Sequence, residues 1–148
     1  KIEWKDKYRS TVENTTIQSG FDENIGMVWS HPGLKIEDWE NIVSRKNGVV
    51  IAGTGLGHIN SELLDVIEKT SKDVPVAMSS QCLSGSTNMN VYRNGRKLIE
   101  CGVVETYDML PETALVKMMW LSKHHQDNVR EMMGQNLVGE ISNSRKLN

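Results

Sequence analysis

Cysteine is scarce in this sequence, with only Cys82 and Cys101 in 148 residues. Two thiols are too few for a disulfide framework and fit a reducing, cytoplasmic compartment. Long apolar runs are also missing. The clean run near the middle, Val49-Val50-Ile51-Ala52, is far too short to span a bilayer. The opening Lys1-Ile2-Glu3-Trp4-Lys5 has no apolar centre of the kind a secretory signal needs. Neither sign of charge dominates. The formal net charge is −2, and no basic block or aromatic-basic alternation equips this chain to grip nucleic acid by itself. What remains is ordinary material for about one domain, 38% hydrophobic and 24% charged, without fixed-period repeats or low-complexity tracts. The chain opens on Lys1 and not on Met, which fits processing or excision from a longer polypeptide.

Residues 1–24 are polar and weakly periodic and read as a linker or the tail of a preceding unit. From Ile25 the pattern changes. Ile25-Gly26-Met27-Val28-Trp29 is a short strand ended by the turn signal Ser30-His31-Pro32-Gly33. Ile36, Trp39, Ile42 and Val43 recur at helical spacing, and Asn47-Gly48 is expected to stop that helix. Val49–Ala52 does not alternate, which favours a strand covered on both faces, as in parallel sheets. Leu63, Leu64 and Ile67 mark the next helix. Pro75–Met78 reads as a third strand that gives way to a polar loop, Ser79–Asn90. Leu98-Ile99 lie in a helix stopped by Gly102, and Val103-Val104 begins a fourth strand. Pro111 suits the first turn of a helix striped by Ala114, Leu115, Met118 and Met119. A last helix near Asp127–Met133 carries Val129, Met132 and Met133. Strand and helix alternate about four times, which predicts an α/β domain with a parallel sheet and helices on both faces.

Ligands of open α/β sheets collect beyond the carboxyl ends of the strands. Three loops fall there: Ser30–Leu34, Gly53–Asn60 and Ser79–Asn90. Gly48–His58 reads as a buried strand running into a glycine-rich loop that opens a helix. A dinucleotide fingerprint would need its final glycine where His58 stands, and the next strand ends in Ser79-Ser80 without the acidic residue that holds a ribose. Two readings stay open: a plain strand-to-helix turn, or a binding loop using N–H groups at a helix N-terminus. His58 could act as a base for Thr54, but nothing local orients it, so a binding or capping role is favoured. Ser79–Asn90 is dense in uncharged hydrogen-bonding side chains, which suit an amino-acid zwitterion or carboxamide and equally suit turns. Cys82 has no neighbouring histidine or cation to activate it. His124-His125 with Asp127 lacks the i, i+4 histidine pair of a helical zinc site and reads as a solvated helix end, with no metal expected. The paired methionines and Trp39 and Trp120 read as packing or interface residues.

Six segments occur in a recognisable order: Ser30-His31-Pro32-Gly33, Gly53–His58, Ser80-Gln81-Cys82, Asn88-Met89-Asn90-Val91-Tyr92, Asp108–Ala114 and Gly139-Glu140-Ile141. Together, over roughly residues 21–143, they resemble the C-terminal half of the type I asparaginase-like family. More narrowly they resemble its GatD branch, the glutaminase subunits of archaeal glutamyl-tRNA(Gln) amidotransferases. The resemblance implies a flavodoxin-like domain over residues 25–143. It also implies a preceding linker, a C-terminal tail at 144–148, and a separate N-terminal domain that carries the threonine nucleophile. The expectation is then that this chain alone is inactive and completes the substrate site of a neighbouring copy in a dimer. His58 matches the place where asparaginases offer an asparagine, with Gly57 beside it, and Asn90 falls near a contributed acidic residue. Cys82, with Gln81, matches an effector-lining position of some family members. Further implied are glutamine as substrate, a GatE partner subunit using ATP and Mg²⁺, and tRNA held through that complex, with no cofactor in this domain. The alternatives are a free-standing L-asparaginase and a small-molecule-sensing α/β module.

Overall fold

The computed structural model describes residues 16–142. The readings of residues 1–15 as linker and of 144–148 as tail lie outside that range. The elements run β1 (Ile25–Trp29), α1 (Ile36–Val43), β2 (Gly48–Gly53), α2 (Leu64–Asp73), β3 (Val76–Ser80), α3 (Arg93–Glu100), β4 (Val104–Glu105), α4 (Pro111–His124) and α5 (Val129–Met133). Short 3₁₀ turns at Ser61–Leu63 and Gln126–Asn128 lead into α2 and α5.

All four strands are parallel and their spatial order equals their chain order, β1-β2-β3-β4. Crossovers of one hand that always step in the same direction put their helices on one face. Trp39 of α1, Leu64 and Ile67 of α2 and Leu98 of α3 accordingly pack in one cluster with Val28, Val49, Ile51, Val76 and Met78. The opposite face, carrying Ile25, Val50 and Ala77, is covered by α4 and α5 through Ala114, Met118, Leu121, Val129 and Met133. The sheet is therefore helix-covered on both faces, as its unalternating β2 predicts, and every residue of β2 is buried. Among these strands the order never reverses, so the ligand crevice of a switch point does not arise.

Two boundaries differ from the sequence pattern. Helix α1 stops at Val43, and Arg45 turns the chain with φ 61°, before Asn47 donates its N–H to Asn24 O at 2.9 Å. Gly48 belongs to the strand: a Cβ there would lie 2.7 Å from Met118 Sδ, so glycine lets α4 approach β2. Strand β3 runs on through Ser79 and Ser80, both buried. Their hydroxyls donate to Met109 O and Gly55 O, which makes serine tolerable inside a sheet. Gly102 has φ +88° and ends α3 as expected, and Pro111 opens α4.

Polar pins complete the packing. Trp39 is fully buried and its Nε1–H donates to Thr70 Oγ1 at 3.1 Å, joining α1 to α2. Arg130 donates to Ser71 O, Val74 O and Gly102 O at 2.6, 3.0 and 3.3 Å, so one guanidinium caps the ends of α2 and α3. Lys117 and Glu140 form a buried ion pair at 2.7 Å. Lys117 Nζ also donates to Met133 O and Gln135 O, while Glu140 accepts N–H groups from Leu137 and Val138. This fastens the segment after α5 to α4 and seats Ile141 in the core.

Burial alone would raise the Glu140 pKa. The Lys117 ammonium and the Val138 and Leu137 N–H groups prevail and hold it at about 2, below the ordinary 4.5. A depressed folded-state pKa gives stability that is fully present above about 4.5 and lost as pH falls towards about 2. Urea denaturation across that window is expected to show the loss. Glu140→Gln should cost about 3 kcal/mol at neutral pH by stranding the Lys117 charge, and the double variant Lys117→Met, Glu140→Leu should cost less.

Candidate functional site

Parallel strands bring the three loops to one edge, beyond the ends of β1, β2 and β3. The middle loop does not open a helix directly, contrary to its sequence reading. It closes on itself: Thr54 and His58 exchange N–H···O bonds of 2.9 Å each, and Gly57 N donates to Thr54 O at 3.1 Å. Gly55 and Gly57 take φ of +51° and +95°, which this tight turn requires. Ile59 and Asn60 intervene before the helical turn, whose Glu62 N–H is capped by the Asn60 side chain at 3.2 Å. With these N–H groups engaged internally, the arrangement of a phosphate cradle is not formed. Thr54 Oγ1 lies 3.5 Å from the backbone oxygen of His58, so the hydroxyl addresses the carbonyl and not the imidazole. The Thr54–His58 nucleophile–base reading therefore has no geometric support.

The third loop wraps around this turn. Asn88 N donates to Leu56 O at 3.0 Å. A Cβ on Gly57 would meet Met78, Thr87 and Met89 at 3.1 to 3.3 Å, so the two loops touch through the missing side chain. The imidazole of His58 meets the ring of Tyr92 edge-on, with centroids 4.7 Å apart at 65°. Asn90, two residues before Tyr92, is exposed, and its carbonyl accepts from Arg96 Nη1 at 2.9 Å. His58, Gly57 and Asn90 are thus carried on two loops in direct contact. Tyr92 and Arg96 have no role in the sequence reading, although Tyr92 ends one of the six family-like segments. Tyr107, just past β4, is a second addition: its φ of 57° is unusual for a bulky residue, and its carbonyl accepts the Thr87 N–H at 2.9 Å.

On the other flank, Gln81 is a staple. Its carboxamide N–H₂ donates to Ser30 O at 2.7 Å and Ala52 O at 2.8 Å, and its backbone N–H donates to Gly53 O. Cys82 is exposed, with its N–H on Ser80 Oγ. Cys101 lies elsewhere, at the end of α3, where burial and then Glu68 push its thiol above the ordinary value. His124 and His125 are not simply a solvated end, since both rings touch Trp120 and His124 Nε2 lies 3.1 Å from Gly20 O. Among the described residues no group of three or more His, Cys, Asp or Glu is placed to hold a metal ion. Nor is any helix among them long and apolar enough to cross a membrane. A groove of about 560 Å³ runs along α4 between Phe21, Val116, Trp120 and Val138. Its surface is mostly apolar, with Glu112 and Thr113 also in its lining, and it shares no residue with the strand-end loops.

The fold and the composition of these loops define the class. Residues 24–133 match the model of the glutaminase/asparaginase C-terminal domain, and the chain belongs to that family. Among curated relatives, the GatD component of glutamyl-tRNA(Gln) amidotransferase from Sulfolobus acidocaldarius is 47% identical over 141 residues, covering 93% of this chain and 32% of the relative. The protein of the same name from Saccharolobus islandicus is 41% identical over 155 residues, covering 96% and 35%. The chain spans about a third of the length of these relatives. Among solved structures, the thermostable L-asparaginase of Thermococcus kodakarensis superposes with a TM-score of 0.78 at 32% identity, covering 88% of this chain and 44% of that one. L-asparaginase I of Vibrio cholerae gives 0.71 at 34% identity, covering 80% and 38%.

The staple generates a test that separates Gln81 from Cys82. Gln81→Ala is expected to lower unfolding free energy by about 1–3 kcal/mol, because Ser30 O loses its side-chain donor and Ala52 O is left with the Ser30 N–H alone. Cys82→Ser should stay within about 0.5 kcal/mol. Parallel thermal and urea melts check both.

Proposed function

We propose that this chain is the substrate-completing domain of an amidotransferase subunit that hydrolyses glutamine to supply ammonia for Glu-tRNA(Gln) amidation. The observation that carries this reading is the pairing of family membership with a strand-end edge where His58, Gly57 and Asn90 sit on two interlocked loops. These groups suit binding of a carboxamide-bearing amino acid. They do not suit bond cleavage by themselves, because the Thr54 hydroxyl addresses the His58 backbone carbonyl.

In this reading the nucleophile is a threonine from another part of the subunit. Its oxygen bonds to the side-chain amide carbon, the C–N bond breaks and ammonia leaves; water then cleaves the ester to give glutamate. His58 and Asn90 hold the substrate while this happens. The same edge exposes Trp29, Leu83, Val91, Tyr92, Tyr107 and Leu110, apolar surface that fits a site closed by a second copy. The ammonia passes to a partner subunit of the GatE kind, which uses ATP and Mg²⁺ on glutamyl-tRNA in the cytoplasm. A net charge of −2 agrees with tRNA being held mainly by that partner. A role for Cys82 in effector binding is a separate proposal, supported by its exposure beside the site.

A second reading, the C-terminal domain of an L-asparaginase, is favoured by the two asparaginase structures. The ratio of kcat/KM for glutamine and asparagine in the parent polypeptide separates the two.

The purified chain is expected to release no ammonia from glutamine or asparagine in a coupled assay. Turnover that survives removal of contaminants would sink the proposal. In the parent polypeptide, His58→Ala and Asn90→Ala are each expected to raise KM about tenfold or more while the protein stays folded. Calorimetric titration with NAD and ATP should show no tight binding to this chain.

A further inference from the structure

We propose that Tyr92 is the positioning residue that holds the His58 imidazole in its substrate-facing orientation, and that the first turn of α3 sets Tyr92 in place. The proposal rests on the substrate-edge reading above and deepens it by naming what aims the recognition group.

The backbone of His58 is fixed by its two-way bridge with Thr54, but that bridge leaves the ring free to turn about its side-chain bonds. An imidazole presents two different nitrogens, one a donor and one an acceptor in the neutral form, so a rotated ring offers a substrate amide the wrong partner. The edge of Tyr92 against that ring, at 4.7 Å and 65°, is the restraint. Aromatic rings favour such a T-shaped contact over a face-to-face stack, and turning the imidazole away would forfeit it.

Tyr92 is itself held from below. It is the N-cap residue of α3, in extended conformation. Arg96, one turn into the helix, donates to the carbonyls of Asn90 and Val91 at 2.9 and 3.3 Å, and its own N–H donates to Tyr92 O at 3.1 Å. Gly95 brings the helix so close that a Cβ there would lie 2.2 Å from Met89 O. The Met89–Tyr92 segment is therefore pressed between α3 and the glycine loop, and Asn90 and Tyr92 take their places together. Because Tyr92 is about half exposed, its hydroxyl and ring support no core packing.

The experiment pairs a spectroscopic signature with kinetics. In this chain, Tyr92→Ala should shift the His58 imidazole ring-proton resonances, by removing the ring current of its neighbour and releasing the rotor. Tyr92→Phe should leave them near their original positions. In the parent polypeptide, Tyr92→Ala is expected to raise KM for glutamine about tenfold with kcat within about twofold, and Tyr92→Phe to restore KM. Should Tyr92→Ala fail to fold, Arg96→Ala, which frees the turn without touching either ring, is expected to give a smaller change of the same kind. Unmoved His58 resonances in Tyr92→Ala, or a KM that Phe does not rescue, overturn the proposal. If His58→Ala itself leaves KM unchanged, the substrate-edge reading falls and the functional proposal with it, while shifted resonances still show the ring contact.

Discussion

Strand β2 lies between β1 and β3, with Val49 and Ile51 turned to one helical layer and Val50 to the other. That placement leaves no room at its two ends. At Gly48 the missing side chain admits Met118 of α4. At Gly53 a Cβ would lie 2.6 Å from Met78 Sδ and about 3 Å from the His58 backbone. The close fit at Gly53 brings the returning end of the glycine loop back onto the sheet, so Thr54 and His58 can bridge. The position of His58, the seating of the 88–92 segment above it and the Gln81 staple beside it all follow from how tightly this strand is enclosed. Buried apolar strands of this kind set where the chain must turn, and the polar groups at the edge are arranged around that turn.

Much of this architecture is legible in the residues. The unbroken run Val49–Ala52 announces a doubly covered strand, Gly102 a helix end, and Pro111 a helix start, because each has one dominant local cause. The boundaries that differ have causes that are not local. Ser79 and Ser80 look like loop material until Met109 O and Gly55 O arrive from distant segments to accept their hydroxyls. Three glycines in five residues fit both a ligand cradle and a self-closing bridge, and only the backbone geometry chooses between them. Gln81 looks like a binding group because its side chain is polar. Its amide N–H₂ also donates to Ser30 O and Ala52 O, a structural role that the sequence does not reveal. Lys117 and Glu140 do not announce themselves as a pair, since one faces the interior from a methionine-rich helix and the other comes from a distant segment that carries only family likeness.

The candidate site shows the same division. The motifs that carry the family resemblance locate the loops and name His58, Gly57 and Asn90. What the motifs cannot supply is which groups touch: Tyr92 against His58, and Arg96 under Asn90 and Val91. The edge carries these candidate residues on two loops in contact and leaves several aromatic and aliphatic side chains exposed around them. A surface of that composition is suited to being covered, and a site built there gains its dry environment from whatever closes over it.

The strand order has a consequence for how the molecule is made. Each new strand joins the outer edge, beside the one synthesised just before it, so no strand has to be wedged between two already paired. A chain emerging from the ribosome can lay down this sheet in the order of translation, each helix dropping onto the same layer as it appears. Until α4 follows, the other layer of Ile25, Val50 and Ala77 stays bare. Helix α4 and the segment up to Ile141, fastened together by Lys117 and Glu140, then cover this otherwise sticky face of the nascent domain.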